Sequence, residues 1–202
     1  MRVLVAYGTK MGGTAGIAEM LGDALSTAGL QVDVRPASER ADIGAYDAVI
    51  VGGALYNQRW HRHARRFVSR HTSALRTRPV WLFISGPLDD SATTGEIAPI
   101  AQVQDLLQRV GARGHATFGG RLAPDAKGLP ASAMAKTRAG DWRDPARIRS
   151  WAATVAQELA QELAQELTRP ARDPELRAGG RRPEAPPEGE AKWNEATIPG
   201  WW

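Results

Sequence analysis

The N-terminal stretch from Val3 to Leu21 constrains this chain more than any other segment. Val3-Leu4-Val5-Ala6-Tyr7 reads as an apolar strand, Gly8 to Thr14 as a loop of small and hydroxyl-bearing residues, and Ala15 to Leu21 as the opening of a helix. A strand that feeds a helix through such a loop leaves unpaired backbone N–H groups at the positive end of the helix dipole, which makes a seat for a phosphate. Thr9 and Thr14 add hydroxyl donors, and Gly12 and Gly13 remove the Cβ atoms that would hold an anion away. Lys10 and Met11 complete the loop. Without a ligand, the same segment is a tight strand-to-helix turn. Two relatives of this loop are excluded. A nucleoside-triphosphate P-loop requires Lys and then Ser or Thr after its second glycine, whereas Thr14-Ala15 follow Gly13. A dinucleotide fingerprint requires glycine at position 10, which is Lys10.

The periodicities downstream predict an alternating α/β chain. Ile17, Leu21 and Leu25, with Met20, Ala24 and Ala28, form a helical stripe that Gly29 stops. Gln31 to Arg35 alternates apolar and polar residues, as a strand with one exposed face does. Ala48 to Val51 and Val80 to Ile84 are continuous apolar runs, the pattern of strands covered on both faces. His115 to Phe118 is a weaker, more polar strand. Helices are predicted over His61 to His71 (contacts Ala64, Phe67, Val68) and Pro99 to Val110 (Val103, Leu106, Leu107, Val110). Asp144-Pro145 caps and opens a last helix with the stripe Ile148, Trp151, Ala152, Val155 and Leu159. Pro36 to Ala45 is an irregular link. With the apolar first, third and fourth strands in the centre, the chain is predicted to form a doubly wound, five-stranded parallel sheet, order 2-1-3-4-5, in three α/β/α layers. A ligand then binds at the carboxyl ends of the first and third strands, beside the fourth.

Two further loops reach that edge. After the third strand come Gly52-Gly53-Ala54-Leu55-Tyr56, whose paired glycines allow the backbone to lie against a planar ring; Tyr56 and Trp60 are the candidates to stack on it. Trp60 packed as core is the plainer alternative. After the fourth strand, Ser85-Gly86-Pro87-Leu88-Asp89 offers backbone donors and acceptors to a polar ring edge, with Leu88 on its face. Asp89 and Asp90 either stand near the ring, where a carboxylate disfavours an anionic reduced form, or cap a short turn. Arg59, His61, Arg62, His63, Arg65 and Arg66 open the helix beside this edge, either as a solvated face or as a docking surface for a carboxylated substrate or an acidic redox protein. His61 and His63 are the candidate proton donors, since imidazole titrates near neutrality.

The loop Thr9-x-x-Gly12-x-Thr14, the run Val51-Gly52-Gly53-Ala54-Leu55-Tyr56 and the segment Trp60 to Val68 resemble the flavodoxin superfamily. More narrowly, with Asp141-Trp142, they resemble its group of menaquinone-dependent protoporphyrinogen dehydrogenases. The resemblance spans about Met1 to Leu167 and implies FMN as the cofactor, its monophosphate on the first loop. It implies an oxidoreductase passing electrons or hydride through the flavin; the alternatives are a non-enzymatic electron carrier and a flavin-free binding module. In place of that group's long aromatic insertion after the fifth strand, Ala123 to Gly140 is short, with Lys127, Lys136 and Arg138.

Composition bounds the partners. The net charge of +4, from 26 Lys+Arg against 22 Asp+Glu, suits an anionic partner, a small anionic or quinone-like substrate, or peripheral contact with an anionic membrane. No nucleic-acid motif accompanies it. With no cysteine, there is no disulfide and no thiol nucleophile, and no metal site is expected. Arg2 leads straight into a core strand and no apolar run nears the roughly 18 residues of a membrane span, so a soluble cytoplasmic protein is expected. Residues 1–168 are predicted to be the flavodoxin-like domain and 169–202 a disordered Pro/Gly-rich, charged tail ending in tryptophans. Leu159, Leu163 and Leu167 recur every four residues, a repeat that drifts about 40° per step around a helix. The later leucines therefore leave the sheet, as a plain extension or as a homodimer seam.

Overall fold

In the computed structural model, which describes residues 1–128 and 131–168, the first half runs β1 (Arg2–Gly8), α1 (Gly13–Thr27), β2 (Gln31–Pro36), a 3₁₀ turn (Ile43–Ala45), β3 (Ala48–Tyr56), β4 (Arg59–Trp60), α2 (Arg62–Arg70) and α3 (Thr72–Leu75). The second half runs β5 (Val80–Ser85), α4 (Ser91–Thr94), α5 (Ala101–Val110), β6 (Gly114–Phe118), β7 (Arg121–Leu122), α6 (Ala131–Arg138), β8 (Gly140–Asp141) and α7 (Pro145–Thr168). The tail and its tryptophans lie outside the described residues.

The main sheet is parallel in the order β2-β1-β3-β5-β6, which is the predicted 2-1-3-4-5 once β4 is set aside as a short antiparallel addition to β3. Side chains alternate across a strand, so each central strand feeds two cores. Leu4, Val49, Val51, Leu82 and Ile84 pack with Phe67 and Val68 of α2 and Val103 and Leu106 of α5. Val3, Val5, Ile50, Trp81 and Phe83 pack on the other face with Ile17, Leu21 and Leu25 of α1 and Ile148, Val155 and Leu159 of α7. This is why the central runs are apolar at every position. At the edge, Asp33 of β2 accepts the Tyr46 hydroxyl at 2.8 Å and pairs with Arg2 at 2.8 Å, which holds its carboxyl below the usual range.

The stop and start signals act as read. Gly29 (φ 87°) and Gly111 (φ 64°) take the left-handed conformation after α1 and α5. Asp144 accepts the N–H groups of Ala146 and Arg147 at 2.8 and 3.1 Å, capping α7. Leu159 is fully buried, whereas Leu163 and Leu167 are 41% and 79% exposed, as the four-residue drift requires.

Three local expectations are corrected. The third strand does not end at Val51 but continues through Gly52 and Gly53 to Tyr56, then turns back as β4. The turn uses Asn57 and Gln58 at φ 47° and 60°, the two-residue geometry that matches strand twist. The glycines are strand residues: a Cβ on Gly52 would overlap the Phe83 ring, and one on Gly53 would sit 2.6 Å from the Trp60 indole nitrogen. The His61 to His71 helix is α2 and α3 in succession, broken at His71. Helix α6 and the short antiparallel β7–β8 pair that flanks it form in the segment after the fifth strand, for which the sequence predicts no element.

Candidate functional site

The carboxyl ends of β1, β3 and β5 are level, because Gly8 pairs with Gly53 and Ala54 with Ser85. Above them lies a cavity of about 1080 Å³. It is lined by Thr9, Lys10, Met11, Gly13 and Thr14 from the first loop, and by Ala54, Leu55, Tyr56, His61 and His63 from the end of β3 through the start of α2. Ser85, Gly86, Pro87, Leu88 and Asp89 follow from the third loop. Of the residues expected there, Gly12 and Gly53 do not line it.

The first loop is prepared for an anion. Gly12 sits at φ 82° as the cap of α1, a conformation that favours glycine, and no side chain satisfies the helix start. The first intrahelical donor is Gly16, bonded to the Gly12 carbonyl at 3.3 Å, so Gly13, Thr14 and Ala15 present N–H groups without an intrahelical acceptor. Thr9 holds the loop closed by accepting the Gly12 N–H at 3.0 Å. Thr14 is 1% exposed, and among the described residues its hydroxyl has no hydrogen-bond partner. A buried hydroxyl without a partner costs about 1–3 kcal/mol, so this atom points to a ligand at the helix start.

The second wall is tied to the first. The Lys10 N–H donates to the Tyr56 hydroxyl at 3.2 Å, joining the β3–β4 hairpin to the loop, and burial raises the Tyr56 hydroxyl above its usual pKa. Tyr56 is 37% exposed and free to meet a ring. Trp60 is not: it is 1% exposed, and its indole N–H donates to the Phe83 carbonyl at 3.3 Å, so it packs as core. His61 Nδ1 accepts the His63 N–H at 3.3 Å and caps α2. That bond leaves the ring proton on Nε2, and burial, then His63 and Arg62, lower the His61 pKa. The His61 ring meets Tyr56 and His63 edge-on, at 6.1 and 5.0 Å between centroids.

In the third loop, part of the backbone is already committed. The Gly86 N–H donates to the Phe118 carbonyl at 3.1 Å, and the Pro87 carbonyl accepts the Gly120 N–H at 2.7 Å. Asp89 accepts the Ser91 N–H at 3.0 Å and the Ser91 hydroxyl, which lowers its pKa and closes the turn that leads into α4.

The far wall escaped the sequence reading. Thr117, Gly120, Arg121 and Leu122 follow from β6 into β7, and Ala131, Met134 and Arg138 come from α6. Leu122 and Ala135 bury a small apolar cluster with Met11 and Leu88, so α6 braces two of the loops that line the cavity. The one signal was Ala131 and Ala135, four apart in a run of good helix formers. Among the described residues, Lys10, Arg59, Arg62, Arg65, Arg121 and Arg138 line the cavity against a single carboxylate, Asp89. The site is electropositive. Among the described residues, no helix is long and apolar enough to cross a membrane, and no cluster of metal-ligating side chains occurs.

Comparison with known proteins agrees with this fold. A family model described as a flavodoxin domain matches residues 4–129. A flavodoxin from the domain Archaea superposes with a TM-score of 0.56 at 14% identity, over 79% of this chain and 99% of that one. A cysteine-to-serine mutant of flavodoxin from Pseudomonas aeruginosa superposes with 0.51 at 16% identity, over 78% and 97%. Rubredoxin oxygen:oxidoreductase from Desulfovibrio gigas gives 0.55 at 16% identity, over 81% of this chain but 37% of that one. At such identities these likenesses establish the fold alone. No curated protein matches the chain.

Proposed function

The chain belongs to the flavodoxin-domain family, and from that premise we propose that its cavity holds FMN and that the protein is an oxidoreductase working through it. The single observation that carries the proposal is the partnerless, buried Thr14 hydroxyl at an uncapped helix start. The residues present fit the phosphate: the Thr9 and Thr14 hydroxyls and the N–H groups of Gly13, Thr14 and Ala15 surround the α1 terminus. Tyr56, Ala54 and Leu55 on one side and Leu88 on the other supply the apolar contacts for the ring. Bound FMN supplies one- and two-electron transfer. The chain positions it, shields it from water and sets the charge around it.

The electropositive walls favour a small anionic or quinone-like substrate, and the cavity volume, at the upper end of the range for small-molecule sites, favours an enzyme over a bare carrier. The narrower resemblance to menaquinone-dependent protoporphyrinogen dehydrogenases points the same way. His61, neutral and with its proton on Nε2, is positioned to donate a hydrogen bond at the ring; His63 lines the same wall. The test is the visible spectrum of the purified chain after incubation with FMN and desalting, followed by turnover with quinone acceptors. Flavin absorbance retained by the wild type and lost in Thr14→Glu supports the reading. A chain that stays colourless refutes it.

A further inference from the structure

On the reading that the cavity holds FMN, the geometry points to a docking surface for an acidic redox protein along α2, beginning at the cavity mouth. Arg62, Arg66 and Arg70 are exposed and four residues apart, so they form one stripe about 12 Å long. At its N-terminal end the stripe meets Arg59 and Arg65, which line the cavity with Arg62. Among the described residues none of these five arginines is ion-paired; the pairs present involve Arg2, Arg113, Arg121 and Arg143.

The arrangement works against the helix that carries it. Arg62 and Arg65 in the first turn oppose the helix dipole with no acidic residue to offset them there, whereas Arg70 in the last turn suits it. Arginines four apart repel each other. A local conflict of this kind marks a position held for something outside the helix. A small anion in the cavity does not account for it, because Arg66 and Arg70 lie outside the lining. An anionic lipid surface fits poorly. A helix that lies on a bilayer inserts an apolar face, and the apolar residues of α2 (Ala64, Phe67 and Val68) are buried in the protein core. An acidic protein surface meets all five guanidinium groups and is brought up to the edge of the cofactor.

The experiment uses the full chain loaded with FMN. An acidic b-type cytochrome is titrated into it by calorimetry at low and at high salt, with basic cytochrome c and phosphatidylserine vesicles as parallel probes. The expected result is binding of the acidic cytochrome alone, weakened about tenfold or more on going to high salt. Arg66→Glu/Arg70→Glu weakens it about tenfold at low salt while flavin content and visible spectrum stay those of the wild type. Arg66→Lys/Arg70→Lys, which keeps the charge, retains most of the affinity. The inference is overturned if the acidic cytochrome fails to bind, if salt or the charge reversal leaves its affinity unchanged, or if the vesicles are bound in its place. A chain that takes up no flavin yet binds the acidic cytochrome in this salt-dependent way refutes the FMN reading and supports the surface.

Discussion

Replacing Thr14 by valine is expected to move stability and affinity in opposite directions. The two side chains are nearly isosteric, so the substitution deletes the hydroxyl and little else. In the ligand-free protein that hydroxyl is buried without a partner, a state that costs about 1–3 kcal/mol. Thr14→Val should therefore stabilise the apo form by about 1–2 kcal/mol, which for a fold of this size is a rise in Tm of about 2–4 °C per kcal/mol. On the proposed FMN reading the same hydroxyl donates to a phosphate oxygen, and a hydrogen bond to a charged group contributes about 1.5–3 kcal/mol. Losing it should weaken FMN binding roughly 10- to 150-fold. Thermal unfolding of the apo protein gives the first quantity, and quenching of flavin fluorescence on titration gives the second. A variant that binds FMN as tightly as the wild type would refute the reasoning. So would one whose apo form is less stable, because the hydroxyl would then already be satisfied within the chain.

Other consequences follow from burial and charge. His61 and His71 both have pKa values lowered in the fold, chiefly by burial and then by neighbouring cations. The folded state therefore binds fewer protons than the unfolded one, and their contribution to stability is complete above about pH 6.5 and is lost as pH falls through the lowered values. Urea midpoints should drop between pH 7.5 and 5, and His61→Asn, which keeps a capping acceptor, should flatten that slope; an unaltered slope would count against it. Leu159→Ala should cost about 2–5 kcal/mol in chemical denaturation, since Leu159 is fully buried. Leu167→Ala, at a site 79% exposed, should stay within about 0.5 kcal/mol, and equal costs would contradict the rotation of α7 away from the sheet. Gly52→Ala places a methyl on the Phe83 ring and should cost at least about 1–3 kcal/mol, partly rescued by Phe83→Leu; an unperturbed Tm would disprove the contact.

Much of the fold was legible because local pattern and tertiary demand agree in it. Continuous apolar runs mark strands that must face two cores, and Gly29, Gly111 and Asp144 act through backbone conformation and capping within a few residues of themselves. The first cavity loop is legible for the same reason: its geometry is local to one strand-to-helix turn. The second segment, Gly52 to Tyr56, reads in the sequence as a loop after the third strand rather than as its continuation, because glycines in a strand look like a break until the rings that fill their missing Cβ positions are known. Phe83 supplies the ring over Gly52 from the next parallel strand, and Trp60 the one over Gly53 from the far side of the hairpin turn.

From the order of residues alone come the layer architecture, the division into central and edge strands that the doubly wound order completes, and the glycine-rich strand-to-helix turn at the start of α1, since periodicity and turn chemistry encode them locally. What the folded molecule decided is which groups remain available there. Gly86 and Pro87 commit their backbone to Phe118 and Gly120, Asp89 is engaged by Ser91 and His61 as the cap of α2, and Trp60 belongs to the core. The far wall of α6 and β7, and the isolation of the Thr14 hydroxyl, likewise arise from contacts between distant segments. Whether a polar atom is spent or free depends on what folding brings within about 3 Å of it.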